Sequence, residues 1–128
     1  MKALLDEEHS REATELWESA TAVQMASVGY VEVRAALAAA RCDRRLSPRG
    51  LDAAKADLEL RWREIDVLYL DELLIHTAGG VAETLALRAL DAVHLAAALA
   101  LDDDELVFAT WDNRLRAAAQ AAGLAVAP

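Results

Sequence analysis

The sequence has one cysteine, few aromatic residues and a shortage of positive charge, and each shortage excludes a class of protein. The single cysteine, Cys42, permits no internal disulfide and no cysteine-based zinc site, which fits a reducing compartment. The net charge of −9 at pH 7 argues against a protein that holds nucleic acid by bulk electrostatic attraction, since that mode needs a basic surface. Aromatic residues make up only 5% of the chain while alanine and leucine dominate, which favours closely packed helices.

Apolar stretches of membrane-spanning length are also missing. Residues 95–101 form a continuous apolar run that is far short of the ~20 residues needed to span a bilayer. The N-terminus carries Asp6, Glu7 and Glu8 where a signal peptide needs an apolar core. Glycine-rich phosphate loops and a serine- or cysteine-based catalytic triad are not found either. We therefore expect a cytoplasmic protein that does not use a membrane.

Short apolar segments alternate with helical patterns along the 128 residues. Strands are predicted at residues 23–27, 65–70, 106–110 and 124–127, the third of them buried. Helices are predicted at residues 11–19, 30–41, 48–64, 71–78, 81–101 and 113–122. Gly79 and Gly80 are expected to interrupt or cap a helix, and a break is expected near Arg88. The alternation predicts an α/β fold with a mostly parallel sheet flanked by helices, and the length fits a single domain over residues 1–128.

Three carboxylates, Glu32, Asp91 and Asp112, each lie inside an otherwise apolar segment. An ionised carboxylate removed from water is costly unless it is paired, hydrogen-bonded or bound to a cation. Three such placements suggest a shared divalent metal ion and hence a metal-dependent nuclease. Glu32 follows the first predicted strand and Asp112 follows the third, at the carboxyl ends of strands where α/β folds place their sites.

Structural alternatives exist for two of these carboxylates and for a nearby hydroxyl. Asp112 precedes an alanine-rich helix and is well placed to act as its N-cap. Glu32 could be a surface residue that pairs with Arg34 or Arg11. Thr110 could be an ordinary strand residue or a hydroxyl that steadies a carboxylate or a water molecule.

Asp91 has fewer structural explanations than the other two acids. It is predicted in the middle of a long apolar helix, where neither capping nor turn formation accounts for it. The remaining structural explanation is a buried pair with Arg88 or His94. His94 by itself fits a core histidine better than a metal ligand.

One segment of the acidic chain is strongly basic. Five arginines fall between residues 34 and 49 against the single Asp43, a local balance of +4. The segment could contact phosphates, or it could be a solvated helix face and loop. The arginines are residues 34, 41, 44, 45 and 49.

Three runs together resemble the PIN-domain ribonucleases of the VapC toxin type. They are SVGYVEVRAALAA at residues 27–39, RALDAVHLAAALAL at residues 88–101 and LVFATWDNRL at residues 106–115. Their order and spacing match the family, and the middle motif, LDAVHLA, is the most specific of them. The resemblance runs from the first residue to the end of the chain.

The resemblance implies a three-layer PIN-like α/β fold and a divalent-metal-dependent endoribonuclease. On this basis Glu32, Asp91 and Asp112 are metal-site carboxylates for Mg²⁺ or Mn²⁺, and Thr110 is a supporting hydroxyl. The metal would activate a water molecule for attack on an RNA phosphodiester. The family also implies a homodimer and a cognate VapB-type antitoxin. The alternative is a non-catalytic PIN-like interaction domain that still dimerises and binds an antitoxin.

The family begins with a buried central strand that carries its first catalytic aspartate, and the resemblance places this chain just after that strand. The first five residues resemble the helix that normally follows, and Asp6 lies at the far end of that helix, so it is no substitute. Either Met1 is an internal start codon of a longer gene, which we favour, or the chain is a degenerate copy held together by a partner strand. Without this strand, we expect a less stable fold as well as impaired catalysis.

Overall fold

The computed structural model describes residues 10–128, which form two compact units, residues 10–67 and residues 68–128. One or two helices separate successive strands along the described residues, as is typical of an α/β protein. The helices are α1 (Ser10–Ser19), α2 (Val28–Cys42), α3 (Pro48–Trp62), α4 (Glu72–Leu85), α5 (Ala89–Ala100) and α6 (Asn113–Ala121). The strands are β1 (Val23–Ala26), β2 (Ile65–Leu68), β3 (Val107–Ala109) and β4 (Ala125–Ala127).

The first unit is built on the packing of α2 against α3. Apolar residues recur on α2 at the helical period, so that one face of the helix is buried against α3. Ser47 caps α3 by accepting a hydrogen bond from the backbone N–H of Gly50 at 3.0 Å, and Pro48 occupies the first turn, where its missing N–H does no harm. Strands β1 and β2 are hydrogen-bonded neighbours in a two-stranded sheet. The core residues are Val33, Leu37, Ala40, Ala54 and Leu58.

The second unit contains a two-stranded parallel sheet made by β3 and β4. Val107 pairs with Ala125 and Ala109 with Ala127, and the N–H of Thr110 extends the ladder to the carbonyl of Ala127 at 2.9 Å. Leu95 of α5, which is fully buried, packs with one face of α6 in the core of this unit. That core comprises Leu95, Leu115, Ala118 and Ala119, with Val81, Leu85, Phe108 and Val126 among the partly buried residues against it.

The sequence predicts most of these elements to within two residues, but one helix boundary is wrong. Helix α4 continues through Gly79 and Gly80 and ends at Leu85. Its buried face overrides the low helix propensity of glycine, since tertiary packing outweighs about 1 kcal/mol per glycine. The helix stops because Ala86 adopts a left-handed conformation, with φ at 50°, which confirms the predicted break near Arg88.

Burial around β3 also differs from the prediction. The segment is predicted as a buried strand, yet Val107 is 53% exposed and Ala109 is exposed as well. The parallel pairing of β3 with β4 agrees with the expected sheet, although the described residues form two separate two-stranded sheets. The predicted helix at residues 1–5 lies outside the described residues. Among residues 10–128, no helix has the length and apolarity needed to cross a membrane.

Candidate functional site

The segment that follows β3 brings two of the predicted site residues together in the second unit. Thr110 is buried, with only 8% of its surface exposed, and its hydroxyl accepts a hydrogen bond from the backbone N–H of Asp112 at 3.2 Å. Because the N–H of Thr110 is also bound to β4, the hydroxyl is fixed to the sheet. Thr110 therefore orients the backbone from which the Asp112 side chain projects.

Asp112 is the N-cap of α6, as the structural alternative predicts. Its Oδ1 atom accepts hydrogen bonds from the backbone N–H groups of Arg114 at 2.8 Å and Leu115 at 2.9 Å. These hydrogen bonds lower the pKa of the Asp112 carboxyl below its ordinary value, and the bond from Leu115 has the largest effect. Attraction to Arg88 and Arg114 lowers the pKa further. The carboxylate is therefore ionised at neutral pH, and the cap uses only one of its two oxygens.

Three arginines around this segment are not predicted as site residues from the sequence. The Arg114 guanidinium donates to the carbonyl of Ala86, and that of Arg116 donates to the carbonyl of Thr110 at 3.2 Å. The Nε atom of Arg116 is buried and has no partner among the described residues. Arg88 approaches Asp112 from the start of α5. In the sequence, only the spacing of Arg114 and Arg116, two and four residues after Asp112, could have indicated that arginines lie near this carboxylate.

Asp91 lies in the first turn of α5, so its predicted position in the middle of a long helix is wrong. The break after Leu85 starts a new helix at Ala89, and the positive end of that helix stabilises a carboxylate in its first turn. Asp91 is half-buried. The hydrogen bond from Arg114 to the carbonyl of Ala86 places the start of α6 beside the segment that leads into α5, and the attraction between Arg88 and Asp112 agrees with this placement. Asp91 and Asp112 thus belong to the same end of the second unit.

Glu32 belongs to the first unit, in the second turn of α2, and is half-buried. The neighbouring Arg34 contacts other groups: its guanidinium donates to the Tyr30 hydroxyl at 2.8 Å and lies 3.9 Å from Glu59. Residues two apart on a helix do not face each other, so Arg34 and Glu32 point to different sides of α2. The Tyr30 hydroxyl in turn donates to Glu59 at 2.5 Å, which joins α2 to α3.

The sequence predicts that all three acids are buried, and this prediction is wrong. Asp112 is exposed, and Glu32 and Asp91 are half-buried. Within residues 10–128, no three histidine, cysteine, aspartate or glutamate side chains lie close enough to form a metal-binding group. The donor set of the second unit nevertheless has the right chemistry for a hard cation. Mg²⁺ is commonly held by one or two carboxylates while water and substrate phosphate complete its coordination. Asp91 and Asp112 fit that requirement.

Comparisons with known proteins point to one family. The model of the PIN domain matches residues 1–121. Two curated relatives from Mycobacterium tuberculosis, Ribonuclease VapC45 of strain CDC 1551 / Oshkosh and Ribonuclease VapC49 of strain H37Rv, are each 43% identical over 128 residues, all of this chain and 89% of the relative. Ribonuclease VapC46 of strain H37Rv is 39% identical over 97 residues, 76% of this chain and 73% of the relative. The chain therefore belongs to the PIN domain family, as a member of its VapC-type ribonuclease group.

Proposed function

We propose that this chain is a divalent-metal-dependent endoribonuclease of the VapC type that hydrolyses RNA phosphodiester bonds. PIN ribonucleases generally depend on a divalent metal ion. The observation that carries the proposal is the match of the family model over residues 1–121 together with relatives that are 43% identical over the whole chain and are named ribonucleases. The family model extends across both units, which supports a single functional domain over residues 1–128.

Glu32, Asp91 and Asp112 are the proposed metal-site carboxylates. When bound, the metal ion, Mg²⁺ or Mn²⁺, would activate a water molecule and offset negative charge on the phosphate. The lowered pKa of Asp112 keeps that carboxylate ionised and ready to bind a cation at neutral pH. Thr110 holds the backbone of Asp112 in place through its hydroxyl.

The proposed partners follow from the same family. A VapB-type antitoxin would neutralise the activity, and a homodimer would be the working assembly. A cytoplasmic location agrees with the free thiol of Cys42, which is exposed in the structure. The aspartate that the resemblance predicts on a strand before Met1 stays a prediction.

Cleavage of a labelled RNA pool by the purified chain tests the proposal. We expect cleavage with Mn²⁺, none with EDTA, and loss of activity in Asp91→Asn. Asp104→Asn is the matched control, since it removes the same charge from an exposed acid in the loop before β3. Asp104→Asn should cleave RNA as well as the unaltered chain does.

The outcomes separate the two functions considered above. Cleavage that survives EDTA or Asp91→Asn would contradict the proposed metal site. A folded chain that cuts no RNA yet binds a VapB-type antitoxin would instead be a non-catalytic interaction domain. Metal-dependent cleavage that Asp91→Asn abolishes would support the ribonuclease function.

A further inference from the structure

Positive charge in this acidic chain is concentrated at the end of α2, the start of α3 and the connection between them. Of the 13 lysine and arginine residues, four fall within residues 41–49, against one of the 22 acidic residues. The local net charge is therefore +3 in a chain whose net charge is −9. All four residues are arginines, whose planar guanidinium groups bind phosphate through paired hydrogen bonds. They are Arg41, Arg44, Arg45 and Arg49.

Backbone hydrogen bonds and a core contact hold this connection in one conformation. The N–H groups of Asp43 and Arg45 donate to carbonyls in the last turn of α2, both at 2.9 Å. Leu46 packs against the core of the first unit, and Ser47 caps α3 immediately afterwards. The arginines thus project from an ordered framework, which reduces the entropy lost when a ligand is bound.

Three of the four arginines form no ion pair with the described residues, 10–128. Arg45 lies 3.8 Å from Asp43. For Arg41, Arg44 and Arg49, no carboxylate of residues 10–128 lies within ion-pair distance. Arg44 and Arg49 are exposed and Arg41 is half-exposed. Their charges therefore remain available to an anionic ligand.

The backbone of Arg44 adds a second observation. Its φ of 60° is left-handed, at the position just after the C-cap of α2, where glycine is the preferred residue. An arginine at this position costs stability that glycine would not cost. Strained backbone of this kind is often retained at functional sites.

We propose that Arg41, Arg44 and Arg49, the arginine patch, bind the phosphate backbone of the RNA substrate. The inference rests on the proposed ribonuclease function and names the surface of the first unit that holds the RNA. A chain with net charge −9 repels a polyanion on average, so binding needs a local positive surface, and the patch provides one. The contacts involve phosphates, which predicts affinity with little dependence on base sequence.

Binding of a fluorescein-labelled oligouridylate, followed by anisotropy over a range of NaCl concentrations, tests the patch. The measurements use the full chain carrying Asp91→Asn, in EDTA, so that the probe is not cut. Adding Arg41→Gln, Arg44→Gln and Arg49→Gln should weaken binding and reduce the slope of log affinity against log salt by about 2, since each lost contact with a single strand contributes about 0.7. Unchanged affinity and slope would overturn the proposal.

Arg63→Gln is the matched control for this experiment. Arg63 is exposed at the C-terminal end of α3, about 20 Å along the helix from Arg49, and its substitution removes the same charge as any one of the patch substitutions. We expect Arg63→Gln to leave the salt slope unchanged. The patch variant removes three charges and Arg63→Gln removes one. A fall in the salt slope with Arg63→Gln of about one third of that in the patch variant would therefore mean that net charge alone governs binding, which would overturn the patch.

Arg44→Gly separates binding from folding. Glycine relieves the left-handed strain, so the melting temperature should stay the same or rise while RNA affinity falls. A general loss of structure cannot produce that combination. If Arg44→Gly raised the melting temperature and left RNA affinity unchanged, Arg44 would not belong to the binding surface.

Cys42 provides a test that needs no substitution. It is the only cysteine of the chain, it is exposed, and it lies between Arg41 and Arg44. Bound oligouridylate should slow its alkylation by a maleimide, whereas an unchanged rate at saturating RNA would count against the patch.

Loss of antitoxin binding with RNA binding intact in the patch variant would identify a protein-binding surface and overturn the proposal. Failure of the proposed function looks different: RNA binding would depend on the patch, but Mn²⁺ would produce no cleavage.

Discussion

The Oδ1 atom of Asp112 lies 2.9 Å from the backbone nitrogen of Leu115, whose side chain packs in the core of the second unit. The carboxylate therefore determines where α6 begins while its charge remains exposed to solvent. A residue with these two properties can stabilise a helix and bind a cation at the same time. The two roles are separable by substitution, because asparagine caps a helix about as well as aspartate but lacks the charge.

Asp112→Asn should preserve the fold and remove activity. Asn keeps an oxygen that accepts the bonds from Arg114 and Leu115, so we expect only a small fall in melting temperature. Asp112→Ala removes the cap and should lower the melting temperature further. Thermal unfolding and Mn²⁺-dependent RNA cleavage, measured on both variants, check the prediction. Activity retained in Asp112→Asn would leave capping as the residue's sole role.

The contribution of Asp112 to stability should depend on pH in one direction. Its folded-state pKa is lowered, so the contribution is fully present above the ordinary value of about 3.9 and is lost as pH falls through the lowered folded value. The difference in melting temperature between the unaltered chain and Asp112→Asn should therefore shrink below about pH 4. A difference that stayed constant or grew on acidification would contradict the lowered pKa.

Gly79→Ala should raise the free energy of unfolding by about 0.5–1 kcal/mol. Gly79 lies inside α4, and an added Cβ atom would meet no other atom within 4 Å. The substitution thus removes an entropic cost without creating a clash. Gly123→Ala is the contrasting variant: its site is equally open, but its φ of 91° strains any residue with a side chain, so it should destabilise. Urea denaturation of both variants measures the two effects.

Leu37→Ala should lower the free energy of unfolding by about 2–5 kcal/mol. Leu37 is fully buried between α2 and α3, and truncation leaves a cavity that the close-packed core cannot fill completely. Leu60→Ala is the control, since Leu60 is 60% exposed on α3 and its substitution should change stability by less than about 0.5 kcal/mol. Equal losses in the two variants would contradict the position of the first-unit core.

Much of the candidate site could be predicted from the sequence because its residues occur in local motifs. Asp112, the predicted N-cap, forms its hydrogen bonds two and three residues along the chain, a range over which sequence patterns are informative. Arg88 could not be assigned in this way, because its approach to Asp112 joins residues 24 positions apart. The burial of Asp91 was overestimated for a related reason: the new helix start at Ala89 depends on the left-handed turn at Ala86.

The sequence by itself determined the family and the succession of strands and helices, since these depend on composition, periodicity and short motifs. The passage of α4 through Gly79 and Gly80, the exposure of Val107 on β3 and the strained backbone of Arg44 were decided only in the tertiary structure. Each depends on which distant residues share a core or a turn. Packing energies of several kcal/mol then outweigh local propensities of about 1 kcal/mol per residue.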